Sequence, residues 1–254
     1  MHPILIEIGR FRIYSYGFML AFSFFIGILY AGRRAEKRGV PKEIIQDLSI
    51  ILILLAVVGS RMLYIITHRD HYHNLLDIIA LWEGGATFYG GLVLSVIGAG
   101  IYLRKKKIDF LKAADVCSAP VALGIAITRI GCFLSGCCFG LPTSCSLGVV
   151  FPADSPAGYL FSGKTIHPTQ LYSSFYGLVI LAALILVERK RSFDGFTFAF
   201  FCIFYGAARF TVDFFRYYEE SAVLGGLTYN QIISIGLAAL GIVLLLVLPR
   251  RQSR

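Results

Sequence analysis

The chain has 254 residues, of which 57% are hydrophobic and 15% charged, and its formal net charge at pH 7 is +9. This apolar content lies above the roughly half-apolar composition of soluble domains, which argues against a soluble globular protein. A large positive charge would suit a nucleic-acid-binding protein, but the sequence has no basic stripe with interleaved aromatic residues. The composition therefore predicts a membrane protein and no nucleic-acid partner.

The hydrophobic residues form about seven runs, each near the ~20 residues that an apolar helix needs to cross a bilayer. We expect these runs to build an all-α, multi-pass membrane protein in which residues 1–254 form a single domain. The runs are 16–32, 47–66, 86–103, 113–134, 170–187, 195–215 and 228–248.

Three segments outside the runs carry further predictions. Residues 4–14 alternate apolar and polar side chains, which predicts a short hairpin within an outer interfacial segment, 1–15. Residues 68–85 have apolar residues near helical spacing, which predicts an amphipathic helix on the outer surface. Residues 136–168 are rich in Gly, Pro and Ser and predict a long outer loop of the kind that often carries function.

Basic residues cluster at the ends of alternate apolar runs, at 33–38, 104–107, 189–191 and 250–254. With seven spans these clusters share one side of the membrane, and the positive-inside rule places that side in the cytoplasm. The N-terminus is then expected outside and the C-terminus in the cytoplasm. Because the first run ends in basic residues rather than in a cleavage site, we expect it to stay in the membrane.

Four charged residues fall inside the apolar runs: Arg61, Arg129, Arg209 and Asp213. A charge at bilayer depth costs several kcal/mol, so such residues mark functional sites by default. The predicted topology places them in the outer half of the membrane, with further polar residues at the span ends: Tyr16, Tyr89, His167, Gln170 and Arg216. Three guanidinium groups at one depth predict a pocket for an anion, and the commonest anion there is a lipid phosphate.

Two of these assignments have structural alternatives. Arg209 and Asp213 are four residues apart and could neutralise each other on one helix face, whereas an anionic substrate would also balance the arginines. His167 precedes Pro168 and could either mark the start of a helix or act in catalysis.

Seven segments carry distinctive patterns: HPILIEIGRFRIYSYGFML (2–20), GSRMLYI (59–65), WEGGATFYGGL (82–92), TRIGCFLSGCCFGLP (128–142), HPTQLY (167–172), YGAARFTVDFFR (205–216) and LTYNQIISI (227–235). In this order they resemble the blocks of the prolipoprotein diacylglyceryl transferases of bacterial inner membranes. The segment 128–142 resembles the family's signature, and the resemblance covers nearly the whole chain.

The resemblance implies an enzyme that moves the diacylglyceryl group of phosphatidylglycerol onto the lipobox cysteine thiol of a prolipoprotein, forming a thioether and releasing glycerol 1-phosphate. It implies that Arg129 and Arg209 hold the leaving phosphate, and that Tyr16 and Gln170 position the headgroup or the thiol. We expect membrane lipids as further partners, a monomer, and neither a metal nor an organic cofactor.

The chain departs from the family pattern at three positions that matter for chemistry. Tyr89 stands where the family has a histidine, and Cys132 and Cys137 stand where the signature has Asn and Glu. A histidine is the expected base near neutral pH, whereas a tyrosine ordinarily titrates near 10. Either the base lies elsewhere, or neighbouring arginines activate Tyr89, or the chain is a divergent paralogue that binds phospholipid or transfers a headgroup.

The chain has six cysteines, and four of them fall within 132–145 on the expected outer side, where disulfides persist. A disulfide staple of the long loop is the preferred interpretation, because the cysteine spacing does not match a zinc pattern. The rival hypothesis is a quinone-linked membrane thiol oxidoreductase, which the absence of a C-x-x-C pair disfavours. The segment 68–73 carries three histidines, for which solvated surface side chains are favoured over metal binding.

Overall fold

The computed structural model describes residues 2–8, 11–68, 87–218 and 223–252. Helices α1 to α8 cover Ser15–Lys37, Lys42–Thr67, Phe88–Lys105, Phe110–Leu134, Pro156–Leu160, Thr169–Glu188, Phe196–Asp213 and Tyr229–Gln252. Strands β1 to β6 cover Ile4–Ile8, Phe11–Tyr14, Val149–Val150, Thr165–Ile166, Val223–Leu224 and Leu227–Thr228. All seven apolar runs therefore form helices, and the chain is an all-α integral membrane protein.

Six of these helices (α1, α2, α4, α6, α7 and α8) are long and apolar enough to cross a membrane. The remaining run forms α3, which has 18 residues and ends in Arg104 and Lys105. At ~1.5 Å per residue it is ~27 Å long, close to the ~30 Å apolar core of a bilayer. Most of the expected amphipathic segment 68–85 lies outside the described residues.

The expected N-terminal hairpin is confirmed, because β1 and β2 pair in antiparallel fashion. It is joined to α1 through Ser15, whose backbone N–H donates to the Pro3 carbonyl at 2.8 Å. The long connection after α4 is more ordered than the expected loop. It contains the antiparallel pair β3–β4 and the short helix α5, which enclose a small core around Phe151, Ala157 and Ile166.

The chain divides into two compact units, residues 31–113 and residues 1–30 with 114–254. The larger unit has a core on α4, α6 and α7 that includes Ala119, Ala122, Tyr176, Ile180, Leu184 and Val212. The expectation of one domain over the whole chain stays a prediction.

Glycines set the closest helix approaches within each unit. In the larger unit, a Cβ on Gly131 of α4 would lie 2.8 Å from the Met19 Cβ of α1. In the smaller unit, a Cβ on Gly90 of α3 would lie 2.2 Å from the Gly59 carbonyl oxygen of α2. Small residues at such crossings let backbones approach in lipid, where packing rather than water exclusion holds helices together.

A buried carboxylate that the sequence analysis did not single out fixes the start of α7. Asp115 of α4 has no exposed surface and accepts the Gly195 N–H at 2.9 Å and the Phe198 N–H at 2.8 Å. Arg191 pairs with the same carboxylate at 3.4 Å. A carboxylate at a helix N-terminus satisfies N–H groups that have no partner inside the helix.

Candidate active site

Two of the predicted arginines gather around one tyrosine in the larger unit. Tyr176 of α6 interacts electrostatically with both Arg129 of α4 and Arg209 of α7. Tyr205, one turn before Arg209, also interacts with Arg129, and its ring lies 6.2 Å from that of Tyr176. The buried Tyr176 hydroxyl has no hydrogen-bond partner among the described residues. A buried hydroxyl in that state retains a donor that can serve a further group at the site.

Arg209 is held in a network with Asp213 and Tyr218. Its Nη1 atom lies 2.5 Å from the Asp213 carboxylate, and its Nη2 donates to the Tyr218 hydroxyl at 2.5 Å. The Tyr218 hydroxyl in turn donates to Asp213 at 2.5 Å. Burial raises the pKa of Tyr218 above its ordinary value, so the hydroxyl stays protonated at neutral pH.

The same network reaches the start of α8. Thr228 donates its hydroxyl to the second oxygen of Asp213, and Asn230 donates its side-chain N–H to the Tyr218 hydroxyl at 3.1 Å. The Thr228 N–H is accepted by the Gln231 side chain at 2.9 Å. Asp213 therefore joins the C-terminal end of α7 to the N-terminal end of α8.

The charges of Arg209 and Arg129 are balanced differently. The preferred expectation, that an anionic substrate balances Arg209, is replaced by the alternative in which Asp213 does so, because i and i+4 side chains meet on one helix face. Within the described part of the chain, no carboxylate lies at ion-pair distance from Arg129. Arg129 thus carries the positive charge that the site leaves uncompensated.

Gln170 and Thr169, at the start of α6, hold the turn that follows α4. The fully buried Gln170 donates its side-chain N–H to the Cys137 carbonyl at 2.7 Å. Thr169 donates its hydroxyl to the Cys138 carbonyl at 2.9 Å. Cys138 adopts a φ of 60°, a left-handed conformation that is uncommon for a side chain other than glycine and clusters at functional sites. The backbone of this turn is therefore fixed by the left-handed φ of Cys138 and by hydrogen bonds from side chains at the start of α6.

Three cysteine sulfurs meet at this turn. The Sγ atoms of Cys132, Cys137 and Cys138 all lie within 4.8 Å of one another. Hydrogen bonding from the Cys132 and Cys137 thiols, aided by Arg216 and Arg129, lowers the pKa of Cys138. Hydrogen bonding with Cys132 and Cys138, together with burial, raises the pKa of Cys137.

The expected disulfide staple is wrong. All six cysteines lie in the described residues, and no disulfide joins any two of them. A staple of the long connection would need a cysteine on each side of it, whereas three of the four cysteines lie together at the turn after α4 and Cys145 is exposed farther along. Tyr16 of α1 interacts electrostatically with the three clustered cysteines and with Arg129, so this predicted substrate-binding residue lies at the same place.

His167 and Arg216 are packed against aromatic rings. The His167 ring is hydrogen-bonded with the Tyr172 hydroxyl at 3.1 Å and lies 5.1 Å from the Phe215 ring. Its backbone N–H donates to the Leu141 carbonyl. This geometry favours the structural alternative for His167. Arg216 is half-buried, with its Cζ atom 5.5 Å from the Tyr218 ring centroid, a cation–π arrangement.

Arg61 and Tyr89 belong to the smaller unit, where they flank the crossing of α2 and α3 at Gly59 and Gly90. Arg61 is 7% exposed and Tyr89 is 42% exposed. His68 at the end of α2 stacks on Tyr64, with ring centroids 4.3 Å apart, which agrees with a surface histidine rather than a metal ligand. The other two histidines of that segment lie outside the described residues.

Three residues of the site, Tyr176, Tyr218 and Thr228, are not predicted from the sequence. Tyr176 carries a weak signal, because it follows the Gln170 segment on the same predicted helix and is polar at its tip. Tyr218 and Thr228 lie beyond helix ends, where no periodicity relates them to Asp213. Their roles emerge only when α7 and α8 are packed together.

The fold and the site define a multi-pass membrane protein with a cationic, thiol-lined site among its helices. The family model described as prolipoprotein diacylglyceryl transferase matches residues 3–247. A phosphatidylglycerol–prolipoprotein diacylglyceryl transferase of Clostridium tetani is 34% identical over 95% of this chain and 96% of its own length. A second such transferase, of Geobacter sulfurreducens, is 33% identical over 98% of this chain and 96% of its own length. The chain belongs to the prolipoprotein diacylglyceryl transferase family, a family of transferases.

Proposed function

We propose that this chain transfers the diacylglyceryl group of phosphatidylglycerol to the lipobox cysteine thiol of prolipoproteins, the substrates that its relatives' names state. The observation that carries the proposal is Arg129. It is a half-buried guanidinium with no carboxylate partner among the described residues, beside the unpartnered Tyr176 hydroxyl and a cluster of thiols. An anionic lipid headgroup supplies the missing negative charge.

The reaction replaces one bond at a glyceryl carbon. The substrate thiolate attacks this carbon and forms the carbon–sulfur bond, while the bond from carbon to phosphate oxygen breaks and glycerol 1-phosphate leaves with the electron pair. Charge therefore develops on the phosphate. The planar fork of Arg129 can donate two hydrogen bonds to it, and the Tyr176 hydroxyl can donate a third. Donors fixed in a dry site stabilise such charge strongly.

The remaining residues position these groups. Arg209 is oriented by Asp213 and Tyr218 and, like Arg129, interacts electrostatically with Tyr176. Gln170 fixes the turn that carries the thiols. Tyr16 lies at the thiols, where the incoming cysteine must arrive.

Arg216 is proposed to bind substrate beside the thiols, and His167 to bind substrate only in addition to its structural role. Arg61 as a substrate-binding residue and Tyr89 as a catalytic residue stay predictions from the sequence, the latter because it stands at the family's histidine position. The Tyr89→Phe variant decides whether its hydroxyl takes the thiol proton. Transfer that persists at full rate in this variant removes Tyr89 from the chemistry, and a loss of transfer in a folded variant supports the assignment.

We infer that the protein resides in the bacterial cytoplasmic membrane as a monomer, with its N-terminus outside and its C-terminus in the cytoplasm. The four basic clusters support this orientation. Both the lipid donor and the lipidated product move within the bilayer, so the site should open sideways between helices.

A phospholipid-binding paralogue without transfer activity is the second candidate, and the changes at Tyr89, Cys132 and Cys137 favour it. The quinone-linked thiol oxidoreductase receives less support. Family membership over residues 3–247 weighs against it, although the clustered thiols are present.

The test is transfer of a mass-labelled diacylglyceryl group from phosphatidylglycerol to a lipobox peptide by the purified protein in lipid nanodiscs. We expect a thioether adduct in the mass spectrum and release of glycerol 1-phosphate, with no adduct on a peptide that has serine in place of cysteine. Arg129→Ala should lower the rate by about 10²–10³-fold, the loss typical of one removed oxyanion donor. Arg12→Ala, on the exposed hairpin, is the matched control.

Two results contradict the proposal. If the wild-type protein binds phosphatidylglycerol and produces no adduct, it is a lipid-binding paralogue. If the transfer rate of Arg129→Ala equals that of Arg12→Ala, the Arg129 guanidinium does not bind the phosphate during the reaction.

A further inference from the structure

The three-cysteine cluster has no task in the mechanism above. Cys132 is 4% exposed, and Cys137 and Cys138 are half-buried, so the sulfurs face a largely dry environment. Two of the three replace an amide and a carboxylate of the family signature, which converts a polar turn into one lined by thiols. Buried thiols gathered by a strained, anchored turn are arranged as ligands rather than as core side chains.

We propose that Cys132, Cys137 and Cys138 form a three-thiolate site for Zn²⁺, whose open fourth position binds the thiol of the substrate cysteine. This inference rests on the proposed function and assigns the activation of the substrate thiol to the zinc ion. Catalytic zinc sites keep three protein ligands and one open position, whereas structural sites fill all four.

The geometry agrees with a zinc ion. Zinc–sulfur bonds of about 2.3 Å in a tetrahedron separate the sulfurs by about 3.8 Å. The three Sγ atoms already lie within 4.8 Å of one another, so small rotations about the side-chain bonds complete the site. The backbone needs no change, because Gln170 and Thr169 hold the carbonyls of Cys137 and Cys138.

The charges and ligand types agree as well. Three thiolates around a divalent ion leave a net charge of minus one, and Arg216 lies close enough to Cys138 to offset it, which leaves Arg129 for the phosphate. Soft sulfur ligands select zinc over magnesium or calcium, which prefer oxygen. Because the three thiolates make the loaded site negative overall, a guanidinium group can lie beside the bound cation.

The metal also removes the need for a histidine base. When the substrate thiol binds the open position, its proton leaves to water and the sulfur remains as a metal-bound thiolate, because a coordinating thiol is deprotonated. The sulfur lone pair then forms the bond to the glyceryl carbon, and the carbon–oxygen pair leaves with the phosphate held at Arg129. The neutral thioether binds zinc weakly and dissociates.

The first experiment measures metal content. The full chain, purified under reducing conditions in detergent and dialysed against zinc, should hold about one zinc ion per chain by mass spectrometry of the elements. Cys132→Ser, Cys137→Ser and Cys138→Ser should each lose at least tenfold in zinc affinity. Cys145→Ser, which removes an exposed cysteine of the same segment, should bind zinc as the wild type does. Thermal unfolding of each variant separates a lost ligand from a lost fold.

The second experiment detects the open position. The cobalt-substituted protein should show thiolate-to-cobalt absorption with the intensity of a tetrahedral site. A lipobox peptide should shift this spectrum, and the same peptide with serine in place of cysteine should not.

These readouts separate the inference from the proposed function. Transfer that proceeds undiminished in chelator-treated, zinc-free protein overturns the zinc site and leaves the function standing. Zinc and cobalt binding without transfer supports the metal site and overturns the function. A zinc-free protein under reducing conditions, or cysteine variants that bind zinc as tightly as Cys145→Ser, also overturns the inference.

Discussion

At the scale of single residues, the Tyr218 hydroxyl joins polar side chains of α7 and α8. Its hydroxyl accepts from Arg209 and Asn230 and donates to Asp213. Tyr218→Phe removes these bonds and leaves charged groups unsatisfied, so we expect the free energy of unfolding to fall by about 1–3 kcal/mol. Thermal unfolding of the detergent-solubilised protein measures this loss.

The neighbouring Tyr217 supplies the control. Its ring stacks on Phe139, with centroids 5.7 Å apart, and this packing survives the loss of the hydroxyl. Tyr217→Phe should therefore change the free energy of unfolding by less than about 0.5 kcal/mol. Equal stability of the two variants would show that the Arg209–Asp213 pair needs no help from Tyr218.

Residue-level prediction succeeded where helical periodicity operates. The spacing of Arg209 and Asp213 predicts one helix face, and the structure finds the two side chains paired. Prediction of single residues failed beyond the helix ends, where no periodicity relates neighbouring side chains. The cysteine spacing suggested a staple because nothing in the sequence shows that Cys138 adopts a left-handed φ and turns its sulfur back toward Cys132.

At the scale of elements, the contact of α2 with α3 depends on glycine. A Cβ on Gly90 would lie 2.2 Å from the Gly59 oxygen, a backbone atom that cannot move aside. Gly90→Ala should therefore separate the helices and cost about 1–3 kcal/mol, the usual range for overpacking. Unfolding of the purified protein by increasing detergent denaturant measures the change.

Gly100 of the same helix is the matched control, because a Cβ there would meet nothing within 4 Å. Gly100→Ala should be neutral or stabilise the helix by up to about 1 kcal/mol. If Gly90→Ala is as stable as Gly100→Ala, the two helices can slide apart without loss and the close crossing is not required.

Element prediction depended on the strength of each pattern. The apolar runs predicted the helices closely, since α4 covers Phe110–Leu134 where 113–134 was expected. The alternation in 4–14 predicted the hairpin. The strands β3 and β4 and the helix α5 within 136–168 could not be predicted, because strands of two residues and a helix of five are too short to show a periodic pattern.

At the scale of the whole molecule, apolar composition and the placement of the basic clusters disagree about α3. Six helices satisfy the requirements of length and composition, and α3 is not one of them. If α3 did not cross, an outside N-terminus would leave only the first basic cluster in the cytoplasm. If α3 crosses, all four clusters lie there, as the positive-inside rule demands. Its short length is compatible with modest local thinning of the bilayer.

Cys145 distinguishes the two topologies, because its thiol is exposed in the connection between α4 and α6. With α3 crossing, a membrane-impermeant maleimide added to intact spheroplasts should label Cys145, and Cys145→Ser should lose that labelling. Lys107→Cys in the Cys145→Ser background places a thiol at the other end of α4, and it should react only after lysis. Labelling of Lys107→Cys in intact spheroplasts, together with no labelling of Cys145 in the wild-type protein, would mean that α3 does not span the membrane and that the proposed outer site faces the cytoplasm.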